Sequence, residues 1–338
     1  MTEPILIWGA GAIGGILGAY LARAGHTVHM VDIVEDHVHV MRQRGLAIEG
    51  PVEAFTQVLP SSTPAELEGR FSRIILAVKA HHTEGALDML VPHLAPGGFV
   101  VSAQNGLNEI AIAERIGPQN TVGCFVNYGA DWLEPGRILY GNRAAVAVGE
   151  LDGRTGDRTR EVHALLRVVE PDAVLTDNIW GYLWGKLGYG ALLFATALTP
   201  LSMSHAMARP EHRPVYEALG HEVMRLAAAQ NIRPLGFNGF DPDAFLAADR
   251  AGMAASLDAM VEHNRHTAKT HSGIWRDLAV RKRRTEVDAQ VGLLVALGQK
   301  HGDATPTLAR MVELIHDIEA GRRKQSPDLV DLMVPLCS

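Results

Sequence analysis

The stretch ILIWGAGAIGGILGAYLARAGHTVHMVDI, Ile5 to Ile33, narrows the choice of fold more than any other part of the chain. An apolar run, Ile5–Trp8, ends on a glycine-rich turn. The turn opens an apolar helix, Gly25 stops the helix, and a second apolar run ends at Asp32. Gly9, Gly11 and Gly14 have the spacing G-x-G-x-x-G. Between a strand and a helix, the first glycine permits the tight turn. The second lets the backbone approach a pyrophosphate, and the third lets helix and strand pack closely. The amides of Ala12, Ile13 and Gly14 then lie at a helix start, where unsatisfied N–H groups and the helix dipole favour phosphate. The motif in this setting predicts dinucleotide binding. A glycine turn that serves packing alone is the alternative.

Asp32 stands at the end of the second run. A carboxylate there accepts from the ribose hydroxyls of NAD and repels the 2′-phosphate of NADP. Ile33, Val34, Glu35 and Asp36 follow, and none is a cation that would hold that phosphate. NAD is therefore favoured over NADP.

Short Val- and Ile-rich runs recur at Ile74–Val78 and Phe99–Ser102, with helical patterns between them. This alternation predicts an α/β fold with a doubly wound parallel sheet of the Rossmann type. Beyond about Val122, RILYG and AAVAVGE read as a β-meander or hairpin joined through Gly141-Asn142. A helix near Arg158–Val168 and a strand near Ala173–Thr176 follow. From Asn178 onward the strand signal stops. Long amphipathic patterns at Val215–Ala229, Pro242–Arg265, Val287–His301 and Pro306–Ala320 predict an all-helical second domain. The expected organisation is a dinucleotide-binding domain over 1–177, a helical domain over 178–325 and a tail over 326–338, in which Leu329–Leu336 can dock.

The net charge of -7 argues against nucleic acid as a partner. No apolar run approaches the roughly 20 residues of a membrane span. Cys124 and Cys337 cannot make a disulfide framework, and the N-terminus enters a strand without a leader pattern. These features predict a cytoplasmic protein.

Other polar residues end predicted strands on the side where open sheets bind ligands. Lys79 follows IILAV, and Gln104, Asn105 and Gly106 follow FVVSA. The stretch Asp177–Thr199 is apolar and carries Gly181, Gly185, Gly188 and Gly190. Each glycine inside a helix costs about 1 kcal/mol against alanine. Close approach of another backbone or of a ligand offsets that cost. Lys186 is the one charge in the helix body, with Tyr182, Leu183 and Gly190 on its face. A lysine among apolar groups loses preference for its charged form and can donate a proton to a developing alkoxide. A lysine that snorkels to the helix surface is the plain alternative. Further on, Thr285 can cap a helix, with Asp288 in capping-box position and Glu286 in the first turn. The basic run Arg281–Arg284 reads as a solvated face that could steer an anion.

Four motifs in this order, the glycine turn, AVKAHHT, QNGLNE, and LWGKL followed by RRTEVD, make the chain resemble the ketopantoate reductase (2-dehydropantoate 2-reductase) family from Ile5 to about Ala320. The resemblance implies a Rossmann domain followed by a helical domain like that of 6-phosphogluconate dehydrogenase. It implies Lys186 as general acid, Glu286 orienting substrate or cofactor, Asn105 near the nicotinamide and substrate, and Lys79 in the cofactor cleft. It also places Gly190 and Ser272 among substrate-contacting positions. Three departures stand out. Gly190 and Phe194 occupy positions where the family has asparagines. Gly273 replaces a family serine, with Ser272 beside it. Ile33 sits where the family carries a basic residue that holds NADPH.

The expected activity is hydride transfer between a nicotinamide cofactor and the C2 keto or hydroxyl group of a small 2-oxo or 2-hydroxy acid. The departures suggest a changed substrate and oxidation with NAD. Two rivals differ in class. A metal-assisted dehydrogenase would draw on His81, His82, His263 and His266, although no metal is expected. A non-catalytic dinucleotide sensor would bind without turnover. A homodimer is the default assembly, by the family's habit.

Overall fold

The computed structural model describes residues 3–267 and 269–337, so Ser338 of the expected tail lies outside it. The chain divides into two compact units, Met1–Ile179 and Trp180–Ser338.

In the first unit the strands are β1 (Ile5–Trp8), β2 (Val28–Val31), β3 (Leu46–Glu49), β4 (Phe55–Gln57), β5 (Ser61–Ser62), β6 (Phe71–Leu76), β7 (Leu94–Ser102), β8 (Thr121–Val126), β9 (Gly129–Glu134), β10 (Arg137–Asn142), β11 (Val146–Glu150) and β12 (Val174–Leu175). Its helices are α1 (Ala12–Arg23), α2 (Glu35–Gln43), α3 (Thr83–Leu90), α4 (Asn108–Ile116) and α5 (Asp157–Val169). Among the described residues the main sheet runs β12-β11-β8-β7-β6-β1-β2-β5. It is parallel throughout except where β11 meets β8.

The core lies on both sheet faces, as a doubly wound fold requires. Ile5 and Ile7 of β1 enter one apolar cluster, and Leu6 and Trp8 enter another. Neighbouring strands divide their residues in the same way. Ile75 and Val101 join the first cluster, while Ile74 and Val100 join the second. A strand buried on both faces reads as a continuous apolar run rather than an alternating one.

The expected hairpin of RILYG and AAVAVGE does not form. β10 instead joins a second sheet, ordered β4-β3-β10-β9, while β11 belongs to the main sheet. Burial explains the split. β11 is buried at all five positions, which suits a sheet covered on both faces. In β10 the buried Ile138 and Tyr140 alternate with less buried neighbours, as in a sheet covered on one face. The short strands β3 and β4 give little signal of their own.

The second unit is helical: α6 (Ile179–Thr196), whose first residue belongs to the first unit, then α7 (Met203–Met207), α8 (Arg213–Ala229), α9 (Pro242–Leu246), α10 (Arg250–Arg265), α11 (Gly273–Ala279), α12 (Leu293–His301), α13 (Pro306–Glu319) and α14 (Asp328–Asp331). No helix among the described residues is long and apolar enough to cross a membrane. Ile179 is 1% exposed, and a Cβ on Gly123 would stand 2.8 Å from its side chain, so this residue plugs the main sheet.

Two helices expected to be continuous are interrupted. Pro242–Arg265 breaks at Ala248, whose φ is +52°. Asp249 then caps α10 by accepting from the Ala251 amide. Val287–His301 contains a π-helical turn, Asp288–Gly292, ahead of α12. The expected capping box at Thr285 is also replaced. Thr285 accepts from the Val287 amide at 3.2 Å. Its own amide and hydroxyl donate to Glu319, at 2.7 and 2.8 Å, and Asp288 pairs with His316. The C-terminal segment docks on its own unit. Leu329, Val330 and Met333 are buried, and the Gln325 amide group donates to Ala197 O at 2.7 Å.

Candidate functional site

The glycine turn lies where the order of the main sheet reverses, between β1 and β6. Ligands of open α/β sheets bind beyond the strand ends at such a point. The three motif glycines meet different surroundings. Gly9 has φ +98°, and a Cβ there would sit 2.8 Å from Val78 N. A Cβ on Gly14 would sit 2.0 Å from Gly9 O. Around Gly11 nothing lies within 4 Å of an added Cβ. The first and third glycines are thus required by packing, and the second faces open space. Gly11 is also the N-cap of α1, and no side chain caps that helix. The amides of Ala12, Ile13 and Gly14 therefore border the open side of the turn, an arrangement suited to pyrophosphate.

Three groups brace this turn, and two of them, His37 and Tyr128, carry no motif in the sequence. Asp32 Oδ2 accepts from the Ala10 amide at 2.9 Å, and Oδ1 accepts from the Val34 amide at 3.0 Å. Asp32 is only partly buried, so lone pairs remain for a ribose. His37 is 1% exposed and spans 2.8 Å contacts to Ala10 O and the Gly136 amide. The carbonyl only accepts and the amide only donates, so Nε2 carries the proton and Nδ1 is the acceptor. Tyr128 donates to Ile13 O at 3.1 Å. Burial pushes its phenol well above the usual range and so preserves this donor. His37→Ala would strand the Ala10 carbonyl and the Gly136 amide. It should destabilise the first unit by about 2–4 kcal/mol, measured by urea unfolding.

The loops after β6 and β7 are stitched together. Gln104 Nε2 donates to Val78 O at 2.9 Å and to Thr83 Oγ1 at 2.8 Å. Thr83 donates to Asn108 Oδ1 at 2.8 Å, and Asn108 Nδ2 donates to Asn105 O at 2.6 Å. AVKAHHT and QNGLNE are thus one hydrogen-bonded unit. It leaves Asn105 exposed beside Gly106, which has φ +96°. Lys79, half-buried, stands between Val78 and the 3-10 turn Ala80–His82.

In the helical unit the α6 glycines also divide by their surroundings. A Cβ on Gly185 would meet Leu235 O at 1.9 Å, and one on Gly188 would meet Met224 Cε and Phe240 Cζ at 2.6 Å. A Cβ on Gly190 would meet only Gln290 Oε1, at 4.0 Å. Tyr182, Lys186, Gly190 and Leu193 form the less buried stripe of this helix, whereas Phe194 is fully buried and belongs to the core. Glu286 is half-buried, and its carbonyl accepts from the Gln290 amide at 3.0 Å. Ser272 is 2% exposed and caps α11 by accepting from the Trp275 amide at 3.1 Å. Nothing lies within 4 Å of a Cβ on Gly273. In the basic run, Arg281 and Arg283 pair with Asp277 at 3.2 and 2.8 Å. Of the histidines weighed as metal ligands, His266 pairs with Glu262 at 2.7 Å. Among the described residues no group of three or more His, Cys, Asp and Glu side chains is placed to hold a metal ion.

Comparison with known proteins matches both parts of the chain. Residues 5–153 match ketopantoate reductase PanE/ApbA, and residues 178–319 match the C-terminal part of the same family. A 2-dehydropantoate 2-reductase of Mesorhizobium japonicum is 27% identical, covering 94% of this chain and 98% of its own. One from Archaeoglobus fulgidus is also 27% identical, covering 95% and 99%. Among solved structures, a family ketopantoate reductase from Ralstonia eutropha superposes with a TM-score of 0.79 at 23% identity, covering 95% of this chain and 100% of its own. A D-mandelate dehydrogenase, in a ternary complex with NADH and anilino(oxo)acetate, superposes at 0.80 and 22% identity, covering 94% and 98%. The two family matches follow the division between sheet and helices, and the chain belongs to the ketopantoate reductase family, oxidoreductases that act on CH–OH groups.

Proposed function

We propose that this chain reduces the C2 carbonyl of a small 2-oxo acid of the ketopantoate type, and oxidises the matching 2-hydroxy acid, with NAD preferred to NADP. Residues 1–177 bind the dinucleotide, and residues 178–325 bind substrate and form a homodimer. The observation that carries this reading is the setting of Lys186. It is the lone charge of an apolar helix, half-buried, one turn before a glycine whose added Cβ would meet nothing closer than Gln290 Oε1 at 4.0 Å.

A bound nicotinamide would supply or accept the hydride. The residues of this chain do the rest. The turn from Gly9 to Gly14 seats the pyrophosphate through the Gly11 opening and the amides that follow it. Asp32 accepts from the ribose, and Lys79 lines the same strand-end region. Asn105 orients the nicotinamide and the substrate carbonyl. Lys186 gives a proton to the carbonyl oxygen during reduction and takes it back during oxidation. Glu286 holds Lys186 or a substrate hydroxyl in place, and Ser272 lies beside the substrate-binding segment.

NAD preference rests on Asp32 and on the two residues after it. Ile33 and Val34 are 65% and 42% exposed and offer no charge to a 2′-phosphate. Asp32→Ser should shift the ratio of kcat/KM with NADH to that with NADPH toward NADPH by about 10-fold or more, since a ribose hydrogen bond to a charged acceptor contributes about 1.5–3 kcal/mol.

Loss of reduced-nicotinamide absorbance with ketopantoate and either dinucleotide tests the whole reading. Turnover with NADH supports it. A protein that binds the dinucleotide yet reduces no 2-oxo acid would be a sensor instead. A second reading, a dehydrogenase for a larger 2-hydroxy acid, is favoured by the space at Gly190. It predicts faster turnover of mandelate with NAD than of pantoate.

A further inference from the structure

Of the three α6 glycines with described surroundings, Gly190 is the one that packing does not explain. Gly185 and Gly188 admit no Cβ, because a carbonyl oxygen or large side chains stand in its place. Gly190 has room for one, and a glycine inside a helix is unfavourable without such a need. The group across the space is the Gln290 carboxamide, with Oε1 at 4.0 Å from the Cβ position. Gln290 is half-buried and lies in the π-helical turn Asp288–Gly292. Single π turns inside helices concentrate at functional sites. Here the wider turn follows directly on Glu286, whose carbonyl binds the Gln290 amide. Lys186 precedes Gly190 by one turn on α6, and Glu286 precedes Gln290 by one turn on the facing segment. The gap between Gly190 and Gln290 therefore adjoins both residues assigned to the chemistry.

We infer that Gly190 and Gln290 form the specificity pair of this enzyme: Gly190 leaves room for branching at C3 of the 2-oxo acid, and the Gln290 carboxamide hydrogen-bonds a hydroxyl on C4. The inference rests on the reaction proposed above. A carboxamide both donates and accepts, so it suits a neutral hydroxyl. A site built to bind a hydroxyl strongly rejects the analogue that lacks it, because its own polar group is then left unpaired.

The test compares ketopantoate with its deoxy analogue, 3,3-dimethyl-2-oxobutanoate, under saturating reduced dinucleotide. The wild-type protein should prefer ketopantoate. Gln290→Leu, similar in size and apolar, should reduce the ratio of the two kcat/KM values by about 30-fold or more. Equal losses on both acids, or no change, would overturn the role of Gln290. Gly190→Val should lower kcat/KM for both branched acids relative to pyruvate by about 10-fold or more. An unaltered ratio would overturn the role of Gly190. Gly190→Ala serves as the folding control and should raise Tm, because its methyl group meets nothing closer than ordinary contact with Gln290 Oε1 at 4.0 Å; a lower Tm would show that packing demands the glycine and would remove it from the pair. A wild-type protein that reduces none of these acids would overturn the underlying reaction and, with it, the pair.

Discussion

A Lys186→Met variant will bind reduced dinucleotide as the parent does and turn over about 10³-fold more slowly, the middle of the range for losing a positioned general acid. Methionine keeps the length and apolar stem of lysine, so the stripe of α6 stays filled. What disappears, on the mechanism proposed above, is the proton that meets the carbonyl oxygen as negative charge develops there. One further readout separates this loss from a structural one. In Lys186→Ala, small alkylamines in solution should restore part of the rate by entering the vacated volume. A variant that turns over normally would remove Lys186 from the mechanism.

The second large effect separates two glycines three residues apart. Gly14→Ala would put a methyl group 2.0 Å from Gly9 O and 3.0 Å from Ala77 Cβ. A backbone oxygen cannot swing aside as a side chain can, so either α1 or the turn must shift. The expected cost is about 3 kcal/mol. It would appear as an early urea transition in the first unit, together with loss of dinucleotide binding. Gly11→Ala meets nothing within 4 Å. That variant should fold with an unchanged midpoint, yet bind dinucleotide at least about 10-fold more weakly, because its methyl group occupies the approach to the pyrophosphate. If the two variants behaved alike, the division of labour within the turn would be wrong.

The parts of the fold legible in the sequence were those with a strong local signature. Ile5–Trp8, Ile74–Leu76 and Phe99–Ser102 are buried on both faces and read as unbroken apolar runs. The second sheet was not legible. Leu46–Glu49 and Phe55–Gln57 are short, and β10 pairs with a strand some ninety residues earlier, Arg137 opposite Ala47. No local pattern encodes such a partner, and the sequence around RILYG points instead to AAVAVGE, which joins the other sheet. The π turn was hidden for a similar reason. Val287–His301 keeps helical periodicity well enough, and the extra residue in one turn shows only in space. In the candidate site, the glycines and Asp32 were legible because their spacing carries the motif. His37, Thr83 and Asn108 were not, because each acts through a backbone group or a side chain distant in sequence. Thr83 and Asn108 did lie inside quoted motifs, and a polar residue that will be buried near a loop is a signal worth pursuing.

The carboxylate of Asp32 has consequences for how such an enzyme can change over evolutionary time. One oxygen anchors the Ala10 amide and the other the Val34 amide, so the side chain proposed above to discriminate between the dinucleotides is also a rivet in the turn. A lineage moving toward the phosphorylated cofactor cannot simply discard it, because the first step loosens the loop before any new affinity arises. The accessible route runs through neutral intermediates: a cation gained first at Ile33 or Val34, where exposure makes substitution cheap, and a replacement at Asp32 that still accepts from Ala10, such as asparagine or serine. On the proposed role of Asp32, a change of dinucleotide is therefore easiest in a particular order of substitutions, the new cation before the lost carboxylate.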